Sequence, residues 1–378
     1  MAGRGLEEVV AAQTALSHVY GDEGRLIYRG YEIQDLAEHV SFEEVCYLLW
    51  FGELPTRAQL EGLRRELNES VPVDKRVFDG LRPGARQAHP MTQLEAGVAL
   101  LATLDEEAES MNPAANQRKS IRLSAQTITL TAGIARLQAG QEPLAPRPGL
   151  TLAEQFLYLL RGELPDALSA RIVDVALILH AEHGMNASTF AARVAAATLT
   201  DLHSAVLAAL ATLKGPLHGG ANEQVMAMLK RIGSPERADA FVRDALARGE
   251  KVMGFGHRVY RTTDPRAPIL KSLAEQLSAR NSDGGPWLAI SERVQATMRE
   301  EMDRLGKKVY PNVDFFSASV YFTLGIPQSL FTNIFACARM AGWTAHVIEQ
   351  YANNRLIRPQ SEYTGPSARS VTPLSARN

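Results

Sequence analysis

The chain has almost no cysteine: Cys46 and Cys337 are the only two in 378 residues, and both sit inside apolar runs. That excludes a disulfide framework and a cysteine-based metal site, and both thiols are expected to be buried. Long uninterrupted apolar stretches are also missing. Even the richest runs are cut by His, Arg or Asp, so no window reads as a membrane span. Nor is there a bias of charge, with 40 basic against 42 acidic residues and a formal net charge of −2. No block of like charge stands out, which argues against nucleic acid or an anionic membrane as a partner. Small anions stay open, because a few local arginines bind them whatever the net charge. The N-terminal stretch carries no apolar segment of signal-peptide type, so a cytoplasmic location is expected. Apolar residues at 46% and charged residues at 22% exclude wholesale disorder and leave material for a large core and more than one domain.

Strand signals are scarce as well. Ser17 to Tyr31 alternates loosely around Gly-Asp-Glu-Gly at 21–24 and predicts a short N-terminal β-hairpin. Elsewhere the pattern is helical. Ser41-Phe-Glu-Glu44, Thr56-Arg-Ala-Gln59 and Thr151-Leu-Ala-Glu154 are capping-box signatures. Ser234-Pro235 predicts a cap with proline in the first helical position. Two stretches, Tyr47 to Pro55 and Tyr158 to Pro165, echo one another and read as two helices ending at the same Gly-x-x-Pro stop. Ile172–His180 and Ala191–Leu213 are apolar nearly all round and are expected between other helices, in a core or a subunit interface. The expected fold is therefore all-α, helix packed on helix. After Lys214-Gly-Pro-Leu-His-Gly-Gly220 the chain becomes more charged and glycine-punctuated until about residue 325, and apolar helical pattern returns at Ile326–Ile348. This predicts a large domain from residues 1–215 and 326–378, with a smaller helical domain, 216–325, inserted into it. Two crossings between domains make a hinge over a cleft.

Chemistry-bearing residues are few. His180 and His183 lie three apart in Leu-His-Ala-Glu-His-Gly, but the zinc-protease pattern is absent; His180 reads as a core histidine, while the polar break after His183 suits a pocket wall. His218 stands just before a good helix, where the positive end of the dipole favours a neutral imidazole that donates one hydrogen bond. A turn histidine is an equal reading on local evidence. His257, in Met-Gly-Phe-Gly-His-Arg-Val-Tyr, sits on a glycine-bracketed loop able to hold a planar ring, followed by Asp-Pro-Arg266. Arg266 suits a bidentate carboxylate grip, or a surface salt bridge. Asp314 is flanked by Val313, Phe315 and Phe316, so desolvation should raise its pKa and strengthen it as a base, unless it merely caps the next helix.

Together these segments resemble the citrate synthase family, in particular its shorter bacterial and archaeal branch, which includes 2-methylcitrate synthases. The resemblance rests on Glu-His-Gly-Met-Asn-Ala-Ser-Thr, Leu-His-Gly-Gly-Ala-Asn-Glu, Met-Gly-Phe-Gly-His-Arg-Val-Tyr, Asp-Pro-Arg-Ala and Tyr-Pro-Asn-Val-Asp-Phe, in order, from Gly-Leu-Glu at 5–7 to Arg-Pro-Gln at 358–360. It implies an all-α homodimer with shared active sites and the reaction of acetyl-CoA, oxaloacetate and water to citrate and CoA. By position, Asp314 resembles the base, His218 the group that polarises the thioester carbonyl, and His257 the group that polarises or protonates the oxaloacetate carbonyl. His183, Arg266, Arg339 and Arg358 resemble oxaloacetate ligands, with Arg358 reaching the partner subunit's site. Lys251, Val252, Met253, Gly254 and Phe255 resemble the CoA-adenine loop, and Lys307 and Lys308 are candidates for CoA phosphates. The resemblance implies no permanently bound cofactor, no metal and no NADH control. A 2-methylcitrate synthase acting on propionyl-CoA is the close alternative. A zinc hydrolase would need clustered histidine ligands that the sequence lacks, and a non-enzymatic helical scaffold would not need the His218, His257 and Asp314 set.

Overall fold

The computed structural model describes residues 5–6, 9–280 and 285–377. The reading of the N-terminus as free of a signal-like segment falls largely outside the described residues. Strands β1 (Ser17–Tyr20), β2 (Arg25–Tyr28) and β3 (Tyr31–Glu32) form an antiparallel sheet in the order β1-β2-β3. The expected hairpin is present, extended by a third short strand. Its register sets Ser17 opposite Tyr28 and Val19 opposite Leu26.

The other long elements among the described residues are helices. The helices are α1 (Ile33–His39), α2 (Phe42–Phe51), α3 (Arg57–Ser70), α4 (Lys75–Leu81), α5 (Pro90–Leu104), α6 (Pro113–Gln138), α7 (Leu152–Arg161) and α8 (Ala167–His180). They continue as α9 (Ala187–Ala196), α10 (Leu202–Leu213), α11 (Ala221–Ile232), α12 (Ala238–Ala247), α13 (Arg266–Arg280), α14 (Trp287–Arg304), α15 (Val313–Thr323) and α16 (Phe331–Ala352). The three capping boxes all form, at the starts of α2, α3 and α7. In each, the cap hydroxyl satisfies an orphan N–H of the first turn and the Glu or Gln returns the bond. The echoed segments are α2 and α7, and both stop at a left-handed glycine, Gly52 and Gly162.

Ser234 and Pro235 stand where expected, as cap residue and first helical position, although no side-chain cap bond forms: Pro235–Arg237 is a 3-10 turn that runs directly into α12 at Ala238. One local expectation is corrected. The apolar stretch Ala191–Leu213 is not continuous, because the chain breaks between α9 and α10 and Asp201 caps the second helix by accepting from Ser204 N. The short turn lets the two helices fold back on each other and bury small residues such as Ala192, Ala196, Ala205 and Ala209.

Helix α16 organises the fold. It is buried along Phe331–Val347 and packs against α6, α8, α9, α10 and α2. Gly342 permits its closest approach: a Cβ there would lie 2.3 Å from the Ala181 carbonyl oxygen, directly beyond the end of α8. Around residues 225–326, α11, α13 and α14 all pack on α15, and α12 packs on α14. The ends of α8, α13 and α15 and the first turns before α9 and α11 carry the residues singled out in the sequence.

Candidate active site

Past the end of α8 the chain turns through Ala181, Glu182 and His183, and all three are buried. The His183 ring stands 5.2 Å from that of His257, centroid to centroid, and its Nε2 lies 3.2 Å from the Tyr260 hydroxyl. His257 in turn lies 4.6 Å from the Tyr260 ring. The backbone N–H groups of Val259 and Tyr260 both donate to His257 Nδ1 at 3.0 Å. A ring nitrogen that accepts carries no proton, so the neutral ring holds its hydrogen on Nε2 as a free donor. Burial, reinforced by the Arg266 charge, pushes the His257 pKa down to about 4. Burial first and Arg266 second also hold His183 well below the usual imidazole range. Both rings are therefore neutral near pH 7.

Arg266 opens α13 and is buried rather than part of a surface salt bridge. Its Nε and Nη2 donate to the two oxygens of Asp264 at 2.9 and 2.8 Å, and Asp264 also accepts from Val313 N at 3.1 Å. One buried ion pair thus ties the His257 loop to the start of α15. Burial works against the charge of each partner, and their mutual attraction wins: Arg266 is held above and Asp264 below its ordinary range. Arg339, on α16, donates from Nε to His180 O at 2.7 Å, and its guanidinium lies 4.8 Å from the Phe335 ring centroid. Its Nη1 is buried without a partner among the described residues. Burial lowers its pKa to about 10, so it remains charged. An unpaired buried N–H on a cation is costly, and a carboxylate ligand would relieve it.

Asp314 does not cap its helix. Asn312 does that, accepting from Asp314 N at 3.1 Å while its own amide donates to Gly256 O at 3.0 Å. The Asp314 carboxylate is left over, with Oδ1 buried and unpartnered among the described residues. Burial dominates its titration; Arg266 pulls the pKa down, Asp264 pushes it up, and it stands at about 7. His218 lies in the turn before α11, three residues short of the helix proper. Its Nε2 is 2.8 Å from Ser188 Oγ and accepts from Ser188 N at 3.3 Å, which leaves the proton on Nδ1. Trp343 of α16 donates to the same Ser188 hydroxyl at 3.1 Å. The His218 pKa falls to about 4, chiefly through burial and then through Arg339, so the ring is neutral as expected.

The candidates thus form connected groups. His183, His257 and Arg266 assemble with Tyr260 and Asp264; His218 is held by Ser188 and Trp343. Arg339 acts electrostatically on His183, His218 and Asp314 alike, and so joins them. Residues 251–255 form a loop pinned to the start of α15: Asn312 N donates to Gly254 O at 2.9 Å, and Phe255 bridges to Pro311. Within it Lys251 is exposed, Val252 buried and Met253 half-buried, and the Phe255 ring packs 4.7 Å from Phe315. Lys308 helps line a cavity of about 230 Å³ with His257, Tyr260, Thr262 and Tyr310, while Lys307 is exposed. Arg358 lies apart from these groups, exposed on the segment after α16. His180 is a core residue, its Nδ1 2.7 Å from Ala176 O. Among the described residues no cluster of three or more His, Cys, Asp or Glu could hold a metal, and no helix is long and apolar enough to cross a membrane.

Tyr260, Asp264, Ser188 and Asn312 were not singled out in the sequence. Each lay within a matched segment, and its contact with a candidate across the fold is what marks it. Neutral imidazoles, a spare carboxylate and buried guanidiniums on a helical frame define an acid–base site suited to a small anionic substrate. The chain matches the family model "Citrate synthase, C-terminal domain" over residues 5–360. It is 47% identical to citrate synthase 2 of Bacillus subtilis, covering 100% of this chain and 99% of the relative. It is 41% identical to 2-methylcitrate synthase of Shewanella oneidensis, covering 100% and 98%. Among solved structures it superposes on citrate synthase of Pyrobaculum aerophilum with a TM-score of 0.93 at 41% identity, covering 99% of this chain and 95% of that one. The ternary complex of the Thermoplasma acidophilum enzyme with carboxymethyl coenzyme A and oxaloacetate gives the same TM-score, 0.93, at 34% identity, covering 99% of each chain. The chain belongs to the citrate synthase family, whose members are transferases, and its all-α fold is that of the family.

Proposed function

We propose that this chain condenses acetyl-CoA with oxaloacetate and hydrolyses the citryl thioester to citrate and CoA. The observation that carries the assignment is the division of protonation states. Asp314 offers an unpaired carboxylate, while His218 and His257 each have one nitrogen committed as acceptor and the other free to donate. A thioester α-proton is too weakly acidic for a carboxylate acting alone. Asp314 therefore takes the methyl proton as His218 Nδ1–H hydrogen-bonds the oxygen on which charge develops. The methylene carbon then attacks the oxaloacetate carbonyl, and His257 Nε2–H polarises or protonates that oxygen. Water finally cleaves the thioester and CoA leaves as the thiol. His183, Arg266 and Arg339 bind the dianion, with Arg358 supplied across a homodimer interface to the partner's site. Residues 251–255 hold the adenine of CoA as a co-substrate, Lys307 and Lys308 are candidates for its phosphates, and no permanent cofactor is needed. Residues 216–325 act as the smaller domain, closing over the cleft on residues 1–215 and 326–378 and excluding water until condensation is complete.

The relatives include both citrate synthases and 2-methylcitrate synthases by name, and one methylene changes discrimination by only about 1–3 kcal/mol. Oxaloacetate-dependent thiol release measured with both thioesters tests the acyl assignment. A higher kcat/KM is expected for acetyl-CoA; a higher value for propionyl-CoA would make this a 2-methylcitrate synthase.

The pH profile follows from the same groups. The Asp314 pKa is raised to about 7 and its ionised form is the active one, so kcat/KM should fall as the pH drops through about 7. The two histidines, at about 4, stay neutral across that range and add no limb of their own. A profile flat down to pH 5 would count against Asp314 as the base.

A further inference from the structure

The small N-terminal sheet touches both halves of the His183–His257 pair. Ser17 and Tyr28 are cross-strand partners, so their side chains leave the same face of the sheet. Both reach the turn that carries His183. Ser17 Oγ donates to Glu182 Oε1 at 2.9 Å and accepts from Gly184 N at 3.0 Å. The fully buried Tyr28 hydroxyl donates to Glu182 O at 2.8 Å and receives Glu182 N at 3.2 Å. The backbone on either side of His183 is therefore gripped by side chains from the sheet. Glu182 is anchored from behind as well, by His346 Nε2 of α16 at 3.0 Å.

The other end of the sheet reaches the His257 loop. In the β1–β2 turn the Gly21 carbonyl accepts from Arg261 N at 3.0 Å, and a Cβ at Gly21 would lie only 2.4 Å from Val259 O. Val259 and Tyr260 are the two residues whose N–H groups orient His257. One rigid piece of sheet thus spans from the residues flanking His183 to the residues that set the His257 ring.

We propose that the N-terminal sheet is a positioning element of the active site, in which Ser17 and Tyr28 hold the turn at 182–184 so that His183 stays in register with His257. The proposal rests on the reading of His183 as an oxaloacetate ligand. Ser17 and Tyr28 touch no substrate; they act through His183. A loosened His183 still binds, but it must be ordered each time, and that ordering cost falls on oxaloacetate alone.

The test is a double-mutant cycle read by oxaloacetate affinity and by KM for each substrate. Ser17→Ala removes two hydrogen bonds while Gly184 N keeps its bond to Glu182 Oε1, so it should raise the oxaloacetate Kd and KM about three- to tenfold, with KM for acetyl-CoA unchanged. In a His183→Ala background the same substitution should have no further effect, because the residue it positions is gone. Tyr28→Phe, which keeps the ring and removes only the hydroxyl, should repeat the pattern, and Ser17→Thr should restore most of the affinity. A merely structural role would instead lower the thermal midpoint and affect both substrates together. The proposal is overturned if Ser17→Ala and Tyr28→Phe leave oxaloacetate affinity unchanged, or if they weaken it equally with and without His183. If His183→Ala alone leaves the affinity intact, the ligand assignment and the proposal fall together.

Discussion

Asp314→Asn should reduce kcat by roughly 10²–10⁴-fold while oxaloacetate binds as tightly as before. The substitution is nearly isosteric, and the carboxylate makes no capping bond that the helix would miss, since Asn312 caps α15. What is lost is the proposed base. The dianion's proposed ligands, His183, Arg266 and Arg339, lie on other elements, and removing a negative charge between two arginines' fields does not weaken them. The residual rate should also lose its acidic limb near pH 7. Calorimetric titration with oxaloacetate alongside turnover separates the two quantities. Loss of oxaloacetate binding in a folded Asp314→Asn protein would contradict the division of labour, and so would a kcat within tenfold of the parent.

His218→Ala should cost about 10²–10³ in kcat, the usual loss when one preorganised donor is removed from a developing oxyanion. The donor is set up by structure: Ser188, itself held by Trp343 at 3.1 Å, occupies Nε2 and turns the Nδ1 proton outward. Burial keeps the ring neutral, which suits it to hydrogen-bond the thioester oxygen without first carrying a charge. The oxaloacetate Kd should stay within about threefold, because the change removes no ligand of the dianion. Steady-state kinetics with binding measured separately checks both parts. A fall in kcat of less than tenfold would mean that the thioester oxygen is stabilised elsewhere.

The helical frame was legible because its signals are local. Ser41, Thr56 and Thr151 announce their helices through bonds that span three residues, and all three bonds form. Ser234-Pro235 marks a helical start as well, but its side-chain cap bond does not form and the first turn is 3-10 before α12 continues it. Within the site, residue types in matched segments pointed to His218, His257 and Asp314, and the apolar neighbours of Asp314 to the burial that raises its pKa, but not to the contacts that orient the two histidines. Tyr260 meets His183 across 77 positions and Ser188 meets His218 across 30, separations at which no periodicity carries information. Asp314 shows the limit most clearly. Asp is a good cap and a good base, and only the position of Asn312 decides between them. Arg266 was equally divided between a salt bridge and a ligand; the fold makes the salt bridge with Asp264 and buries it beside His257.

The account stands on carbon–carbon bond formation by proton abstraction from a thioester. Methyl-¹³C acetyl-CoA incubated with the enzyme and oxaloacetate tests this directly, with the products followed by NMR and free thiol titrated in parallel. The label should appear in a methylene of citrate, one thiol should be released per citrate, and neither should occur without oxaloacetate. Label recovered as acetate, with thiol release indifferent to oxaloacetate, would show a thioester hydrolase and contradict the roles proposed for Asp314, His218 and His257.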